Sequence, residues 1–401
     1  MGRFGPGSTG VPPEAGAYLD HAATTPMAPE AVEAMLPYLR ATFANPSGSH
    51  RQSRLARRAV DDAREQLAAL LGADLGEIVF TSGGTEADNL AVFGGWESAA
   101  TVGPAGGPPR PVVCSALEHH AVLYACEALA RRTGAELRLV PPGKDGLIDL
   151  EALAEACTDQ VGLVSVMAVN NEIGTVQPIG AVAEVVRRGS PSAVLHTDAV
   201  QAVPWLDVAP LTAVTDLLAL SAHKFGGPKG VGALVVRDGL ALAPVAHGGG
   251  QERGRRSGTH NVAGIVAMAA ALAVVDADRS ATGSRVAALR DRLADGLLAT
   301  VPGAVETAER GQRVAGTLHL RIAGVESEAL VVLLDEAGVA ASAGAACSSG
   351  AVEDSHVLLS MGLGHADAGS GIRFSLGSTT TGAEIDHALA VVPGAVAQLR
   401  D

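Results

Sequence analysis

The chain has 401 residues, of which 47% are hydrophobic and 18% are charged, and its formal net charge is −14 at pH 7. This length and apolar content indicate a globular protein with a large buried core, in two or three domains. The negative charge argues against nucleic-acid binding, because phosphate contacts require a basic surface. No apolar run reaches the roughly 18 residues of a membrane span, so we expect no membrane partner.

The N-terminal residues and the cysteines bear on the cellular compartment. Residues 1–17 lack the apolar core of a secretory signal and the repeated arginines of a transit peptide, so we expect a disordered tail. Cys114, Cys126, Cys157 and Cys347 show no metal-ligand spacing, and so few cysteines do not indicate a disulfide framework. These features favour a cytoplasmic protein with reduced thiols.

Segments with strand and helix patterns alternate over the first two thirds of the chain. Helices are predicted at 29–40, 53–72, around 86–90, up to 132, at 149–157 and at 180–188, and strands at 77–80, 111–115, 136–140, 161–169, 193–197, 217–220 and 231–236. This alternation predicts an α/β fold with a mostly parallel sheet covered by helices on both faces. After Gly264, Ala-rich helices at 267–276 and 284–300 and a strand at 316–322 predict a smaller C-terminal α+β domain.

The change after Gly264, from alternating strands and helices to Ala-rich helices, also predicts domain boundaries. We expect a disordered tail at 1–17, a large domain at 30–265 and a small domain formed by 18–29 and 266–401. In the small domain, the run ASAGAACSSGAV has little side-chain volume to pack, which predicts a mobile loop at about 342–354. A Gly- and Pro-rich surface loop is predicted at 94–111.

Five predicted strands are followed by loops with glycine or polar residues. Because ligands of open α/β sheets bind beyond the carboxyl ends of the strands, these loops are interpreted together. They carry, in chain order, Gly84 and Thr85, then His119, then Asn171, then Asp198 and Gln201, and finally Ser221, His223 and Lys224. Taken one at a time, each has a simpler explanation as a helix cap, a turn or a surface histidine.

Lys224 is one of only three lysines, with Lys144 and Lys229. Arginine can replace lysine for surface charge, but it cannot lose a proton and form an imine. Lys144 and Lys229 lie in turns that contain Gly and Pro, whereas Lys224 follows an apolar strand in a loop that a sheet positions. A reactive amine at Lys224 is one interpretation, and three surface lysines without a special role are the other.

Together, the groups at the strand ends match what pyridoxal 5′-phosphate requires. This cofactor needs a lysine for covalent attachment, an acid at the pyridine nitrogen, a donor for its phenolic oxygen, a flat group over the ring and a phosphate cradle. The acid matters most, because a carboxylate about 4 Å from a pyridinium contributes roughly 4 kcal/mol at an effective dielectric constant near 20. The strand ends supply a candidate for each of these groups.

Motifs spread over the chain carry a family resemblance. They are YLDHAATTP, FANPSGSH, IVFTSGGTEADNLA, EHHAV, VNNEIGTVQPI, HTDAVQAVP, SAHKFGGPKG, HGGGQERGRRSGT and IRFSLG. With these motifs in this order from about Tyr18 to Leu399, the chain resembles the cysteine desulfurases of the NifS/IscS type, which are pyridoxal-phosphate enzymes of the class V aminotransferase group. The resemblance implies pyridoxal-phosphate fold type I, with the cofactor in the large domain.

The resemblance also implies a role for each residue at the strand ends. Lys224 would attach the cofactor, Asp198 would pair with the pyridine nitrogen, and Gln201 would bond the phenolic oxygen. His119 would stack on the ring and move protons, and Asn171 would contact the ring and the substrate. The phosphate would be held by Gly84, Thr85, Ser221 and His223, and by Thr259 of the other subunit, which implies a homodimer.

Desulfuration further requires a nucleophile for the sulfur and a group for the substrate carboxylate. Cys347 is flanked by small residues outside any apolar pattern, unlike most free cysteines, and a mobile thiolate could attack the sulfur and carry it away. Arg373 offers a fork suited to a carboxylate. Both positions match the family, which implies conversion of L-cysteine to L-alanine. The sulfur would be held as a persulfide and passed to an acceptor protein for iron–sulfur cluster assembly or tRNA thiolation.

Two alternatives remain open from the sequence. One is a selenocysteine lyase or another class V aminotransferase-type enzyme, which would not require Cys347. The other is a non-catalytic sulfur-assembly scaffold, which would not require Lys224 either. Three departures from the family also stand out. Gly84 occupies a position where many relatives have alanine and Ala222 one where glycine is common, and we expect no loss from either; His260 has no explanation in the sequence.

Overall fold

The structure is a computed structural model that describes residues 16–100, 108–158, 160–344 and 354–401. Cys347, most of the predicted mobile loop and the predicted tail up to residue 15 lie outside the described residues. None of the helices in the described ranges has the length and apolar character that crossing a membrane requires.

The described residues form strands and helices with the following bounds. The strands are β1 (Ala17–Tyr18), β2 (Ile78–Thr81), β3 (Val112–Ser115), β4 (Leu137–Val140), β5 (Leu163–Ser165), β6 (Val194–Asp198), β7 (Leu217–Ser221), β8 (Gly232–Val236), β9 (Ala304–Glu306), β10 (Thr317–Ile322), β11 (Val339–Ala340), β12 (Ser342–Ala343) and β13 (Gly371–Ser375). The helices are α1 (Pro29–Arg40), α2 (Arg51–Leu71), α3 (Gly84–Asn89), α4 (Gly95–Ala100), α5 (His120–Thr133), α6 (Leu150–Ala156), α7 (Ile179–Gly189), α8 (Ala209–Val214), α9 (Val262–Thr300), α10 (Ser327–Glu336), α11 (His356–Ser360), α12 (His365–Ala368) and α13 (Gly382–Arg400). A π-helical turn, Leu90–Gly94, joins α3 to α4.

A seven-stranded sheet forms the centre of the molecule. Its strand order is β2-β8-β7-β6-β5-β3-β4. β8 is antiparallel to both of its neighbours, whereas the pairings from β7 to β4 are all parallel. The prediction of a mostly parallel sheet is confirmed, and the carboxyl ends of its parallel strands meet at one edge.

Successive residues of the strands pack on opposite faces of this sheet, as the period of two in a strand requires. On one face, Val113, Val164, Leu195 and Leu218 join a core with residues of α2, α7 and α9. On the other face, Val112, Leu163, Val194 and Leu217 pack with residues of α3, the π-helical turn and α5. Helices therefore cover both faces, which is why apolar residues predominate in these strands on both sides of the sheet.

A smaller unit packs beside the large sheet. It contains an antiparallel sheet with strand order β12-β13-β10-β9 and a two-stranded pair, β1 and β11. Its core combines these strands with one face of α10 and α13 and with the C-terminal half of α9. This arrangement is the smaller α+β unit that the sequence predicts.

Several predicted boundaries differ from the structure. The two helices predicted at 267–276 and 284–300 are one continuous helix of 39 residues, α9, so a domain boundary at residue 265 falls inside a helix. Gly283, which lies between the two predicted helices, costs only about 1 kcal/mol in a helix, and both halves of α9 are anchored in buried cores. Ala17 is buried in β1 rather than part of a tail, and Ser342 and Ala343 belong to β12 rather than to a loop.

Candidate active site

One cavity of about 300 Å³ lies at the carboxyl ends of the parallel strands. Predicted site residues line it, namely Gly84, Thr85, His119, Asn171, Asp198, Gln201, Ser221, His223, Lys224 and Arg373. They come from loops of the large sheet and, for Arg373, from β13 of the smaller sheet. Thr259 lies on an exposed loop and does not line this cavity, and Cys347 lies outside the described residues.

Lys224 ends a short 3₁₀ turn, Ala222–Lys224, that follows β7. Its Nζ donates hydrogen bonds to the carbonyl oxygens of Ala22, at 2.5 Å, and Ala23, at 3.0 Å. The same Ala22 oxygen accepts a hydrogen bond from Nε2 of Gln201 at 2.8 Å. The segment between β1 and α1 thus forms a wall of the cavity and orients the lysine amine.

Asp198 is the last residue of β6, and its side chain is buried. Its Oδ1 accepts a hydrogen bond from the backbone N–H of Val200 at 2.8 Å. Burial, followed by the charge of Asp88, raises the pKa of Asp198 to about 7, although the Val200 N–H, His196 and Lys224 act in the opposite direction. A cation placed against this carboxyl would restore its ionised form, because an opposite charge nearby stabilises the charged state.

The start of α3 forms a close-fitting cradle between β2 and β7. Gly83 has a φ of +148°, a backbone conformation that favours glycine. A Cβ at Gly84 would lie 2.9 Å from Cγ2 of Val200 and 3.3 Å from Cβ of Ser221. Alanine at residue 84 would therefore force Val200 to shift, contrary to the expectation that glycine or alanine fits equally well. The first N–H groups of this helix and its dipole favour an anion here.

His119 is the N-cap residue of α5, and its Nδ1 accepts a hydrogen bond from the Ala121 N–H at 3.1 Å. Burial, followed by the charges of Lys224, His120 and His356, lowers the pKa of His119 to about 4. The ring is therefore neutral at pH 7 and carries its proton on Nε2. Because a backbone N–H occupies Nδ1, proton uptake by this histidine would require the Ala121 contact to break.

The two asparagines that follow β5 have different surroundings. The Asn170 side chain is buried and closes its own turn, since Oδ1 accepts hydrogen bonds from the N–H groups of Glu172 and Ile173. Asn171 lines the cavity instead, and its carbonyl oxygen accepts a hydrogen bond from Nη1 of Arg373 at 2.8 Å.

Four acidic residues that lie at or just behind the cavity were not identified from the sequence. Asp20 forms an ion pair with Arg373, with Oδ1 and Nη2 2.8 Å apart. Asp88, on α3, lines the inner wall, and Glu118 and Glu172 are buried carboxyls just behind it. Asp88 could have been found, because it lies one helical turn after Thr85 and so on the same helix face. The others depend on contacts between distant segments.

The loop that carries Thr259 is held by a buried carboxylate. Glu252 accepts hydrogen bonds from both terminal nitrogens of Arg64 and from the Phe80 N–H, and its Oε1 lies 2.6 Å from Nε2 of His260. This network accounts for His260, for which the sequence offered no explanation.

Comparisons with known proteins agree with this geometry. A family model described as Aminotransferase class-V matches residues 17–388. The chain is 46% identical over 385 residues to a cysteine desulfurase of Cereibacter sphaeroides, covering 96% of each chain. It is 44% identical to an IscS-like cysteine desulfurase of Mycobacterium tuberculosis, covering 96% of this chain and 97% of that one. A solved structure titled as a NifS-like protein superposes with a TM-score of 0.87 at 32% identity, covering 96% of this chain and all of that one.

The family match spans residues 17–388, and the identity of 44–46% to these two relatives extends over 96% of this chain. The cavity also collects residues from the motifs that carried the resemblance. The chain belongs to the class-V aminotransferase family and, within it, to the cysteine desulfurases of the NifS/IscS type.

Proposed function

We propose that this protein is a pyridoxal-phosphate-dependent cysteine desulfurase that converts L-cysteine to L-alanine and passes the sulfur to an acceptor. The observation that carries the proposal is that a single cavity is lined by both Lys224 and the buried carboxyl of Asp198. We further propose that the large unit holds the cofactor and that the small unit supplies Arg373 and the segment with Cys347.

The residues of the cavity fit pyridoxal 5′-phosphate. Asp198 has a carboxyl whose pKa burial raises to about 7, so a cationic pyridine nitrogen is the partner that suits it. The cradle is closed to a larger side chain at Gly84, has a backbone conformation that favours glycine at Gly83, and presents helix N–H groups to a phosphate. Thr85, Ser221 and His223 line the same end of the cavity and would complete the phosphate contacts.

When bound, pyridoxal phosphate supplies an electron sink for negative charge that develops at the substrate Cα. Lys224 would hold the cofactor through its amine and then serve as the base that takes the Cα proton. The carbonyl oxygens of Ala22 and Ala23 orient this amine. Gln201 would donate to the phenolic oxygen of the cofactor, and His119 and Asn171 would contact its ring.

Arg373 would bind the carboxylate of L-cysteine. Its guanidinium is buried and already oriented by Asp20 and by the Asn171 carbonyl, so little side-chain entropy is lost when the substrate binds. The ion pair with Asp20 also limits the desolvation cost of holding a guanidinium in the wall of the cavity.

Cys347 would be the nucleophile for the sulfur. Its thiolate would attack the substrate sulfur, and the bond between Cβ and sulfur would break with its electron pair going to the carbon side. The carbon skeleton would take up a proton and leave as L-alanine, and Cys347 would be left as a persulfide. His119 would hold the proton of the thiol during this step, after exchanging its Ala121 contact. The persulfide sulfur would then pass to an acceptor protein for iron–sulfur cluster assembly or tRNA thiolation.

We also propose a homodimer in which Thr259 of one chain contacts the phosphate bound by the other. This proposal rests on the exposed position of Thr259, away from the cavity of its own chain. A cytoplasmic location fits the free thiols of Cys114, Cys126 and Cys157.

The test is an absorption spectrum of the purified protein, followed by addition of L-cysteine and assays for alanine and sulfide. We expect a visible band from the lysine-bound cofactor that changes with L-cysteine, and equal amounts of alanine and released sulfur. A protein that binds no cofactor and stays inert would overturn the proposal. A strong preference for L-selenocysteine would replace it with a lyase.

Two variants with matched controls locate the chemistry. Lys224→Arg keeps the positive charge but cannot form an imine, so the visible band should disappear, whereas Lys229→Arg should retain it.

Cys347→Ser should keep the band and lose sulfur release by at least about 100-fold, because a hydroxyl is a poor acceptor of sulfur. Cys157→Ala, which removes a thiol far from the cavity, should retain turnover. Normal sulfur release from Cys347→Ser would exclude this thiol as the acceptor.

A further inference from the structure

Two buried polar atoms face each other behind Asp198 without a hydrogen-bond partner. They are Oδ1 of Asp88 and Nε2 of His196, and they lie 3.6 Å apart. The Asp88 side chain is 2% exposed and the His196 side chain is fully buried. A distance of 3.6 Å is slightly too long for a hydrogen bond, but a small side-chain shift would join the two atoms.

The two residues are placed by the elements that build the cavity. His196 and Asp198 are two residues apart on β6, so their side chains lie on the same face of the sheet. α3, which carries Asp88, packs on that face. The other ring nitrogen of His196, Nδ1, lies 2.9 Å from the hydroxyl oxygen of Ser165 on β5. A chain of polar groups thus runs from Asp88 through His196 to Ser165, beside the carboxyl that faces the cavity.

This wall contains more carboxyl groups than it can hold as anions. Glu118 is buried next to Asp88 and Asp198, and its Oε2 also lacks a partner. The titratable groups around the wall are His196 and Asp198 on β6, Glu118 and His119 before α5, Cys114 on β3, Cys126 on α5 and Lys224 after β7. Lys224 is the only cation among these groups, and it lowers the pKa of Asp198.

The protonation states follow from burial. Burial raises the pKa of Asp88 to about 8 and lowers the pKa of His196 to about 4. Burial also raises the pKa of Glu118 well above its usual range. Near pH 7, Asp88 therefore keeps its proton and His196 is neutral. The His196 tautomer that suits this geometry carries its proton on Nδ1. In this tautomer Nδ1 donates to the Ser165 hydroxyl oxygen and Nε2 accepts from the protonated carboxyl of Asp88.

We propose that Asp88 and His196 form an electrically neutral, proton-bearing pair that leaves Asp198 as the one carboxylate facing the pyridine nitrogen of the cofactor. Asp88 and His196 are positioning residues, because they act through Asp198 and not on the substrate. The inference rests on the proposed function for the identity of the cofactor. A second negative charge beside Asp198 would repel the negative charge that the cofactor ring accepts during the reaction. The proton on Asp88 removes this repulsion.

The proton itself can be observed without any enzymatic turnover. Infrared spectra of full-length wild type and full-length Asp88→Asn are compared at pH 6.5. The difference between them should show that the variant lacks one protonated-carboxyl band. In wild type that band should fade as the pH rises through about 8. His196→Phe should move the band to higher frequency, because the hydroxyl no longer donates to a nitrogen. Loss of an ionised-carboxylate band in Asp88→Asn would overturn the proposal, and so would an unmoved band in His196→Phe.

The effect on the cofactor is measured by titrating the visible absorbance of the loaded protein between pH 6 and 9.5. We expect Asp88→Asn to shift the alkaline transition by on the order of one pH unit, because the charge that appears on Asp88 in wild type is missing. Glu97→Gln is the control, since it removes an exposed carboxyl on α4 that does not line the cavity, and it should leave the transition unchanged. Identical titrations of wild type and Asp88→Asn would refute the link to Asp198.

Failure of the inference can be told apart from failure of the proposed function. The infrared measurement uses the protein without added cofactor, so it reports on Asp88 even if pyridoxal phosphate does not bind. A loaded, active enzyme in which Asp88 is ionised would reject the neutral pair and leave the proposed function intact.

Discussion

Two of the three guanidinium nitrogens of Arg373 donate hydrogen bonds, and the third has no partner among the described residues. Nη2 pairs with Asp20 and Nη1 donates to the Asn171 carbonyl, while Nε has no hydrogen-bond partner among the described residues. A guanidinium fork can bind a carboxylate through two parallel hydrogen bonds, which a lysine ammonium cannot reproduce.

Replacement of Arg373 by lysine should therefore weaken substrate binding. Loss of a charge-assisted hydrogen bond costs about 1.5–3 kcal/mol, so we expect kcat/KM for L-cysteine to fall roughly 10- to 150-fold, mainly through KM. Steady-state kinetics of alanine formation measure the change. Arg321→Lys, on the neighbouring strand β10 and outside the cavity, is the control. An unchanged KM in Arg373→Lys would exclude Arg373 as the carboxylate site.

Among the elements, the loop between β8 and α9 is held in a demanding conformation. Glu252 and Arg253 have φ values of 50° and 58°, in the left-handed region that side chains rarely adopt. The contacts of the Glu252 carboxylate with Arg64, Phe80 and His260 offset this strain. The loop also carries Thr259, so the anchor at Glu252 positions a residue with a proposed role in the partner site.

Glu252→Gln should destabilise the protein by on the order of 3 kcal/mol at pH 7, because it removes a buried charge that pairs with the partly buried guanidinium of Arg64. Burial raises the pKa of Glu252, but hydrogen bonds from His260 and Arg64 and the charge of Arg64 outweigh it and lower the pKa to about 2. Because the pKa of Glu252 is lower in the folded state than in the unfolded state, the ionised carboxylate stabilises the fold at pH values above the unfolded pKa, near 4.5. This contribution is lost as the pH falls towards 2.

Thermal unfolding of wild type and Glu252→Gln at pH 7 and at pH 3 measures this contribution. The difference in melting temperature should be large at pH 7 and smaller at pH 3. Glu65→Gln, an exposed glutamate on α2, should have little effect at either pH. A difference that does not depend on pH would show that the Glu252 carboxylate acts through its shape and not its charge.

At the scale of the whole molecule, two features connect the parts. The 39 residues of α9 contribute to the core against the large sheet at one end and to the core of the small unit at the other. Near the end of α1, Leu39 and Phe43 are 57% and 77% exposed. Single exposed apolar residues are common, but an aromatic ring this exposed is a natural contact for a second copy of the chain.

We therefore expect the protein to be a dimer whose interface includes Phe43. Phe43→Glu should raise the dimer dissociation constant at least about tenfold, because it buries a charge in an apolar contact. Sedimentation equilibrium over a range of concentrations measures the constant. Val332→Glu, at an exposed site on α10, is the control. Equal dissociation constants for the two variants would place Phe43 outside the interface, and a monomeric wild type would reject the dimer itself.

Much of the architecture could be predicted from local sequence patterns. Apolar strands alternating with amphipathic helices predicted the covered parallel sheet, since burial on both faces removes polar residues from its strands. The position of chemistry at the strand ends also followed, because parallel strands bring their carboxyl ends to one edge. Lys224 and Asp198 could be singled out for this reason, one as a rare lysine after an apolar strand and the other as an acid at the end of the strand predicted at 193–197.

What the sequence determined by itself is thus the periodicity of each element and the type of residue at each strand end. Only the tertiary structure decided the pairs that join distant segments: Asp20 with Arg373, Glu252 with His260, and Asp88 with His196. It also decided that α9 is continuous and that Gly84 leaves no room for a Cβ beside Val200. The physical reason is that periodicity reflects local backbone geometry, whereas a buried charge is stable only beside the partner that folding brings to it.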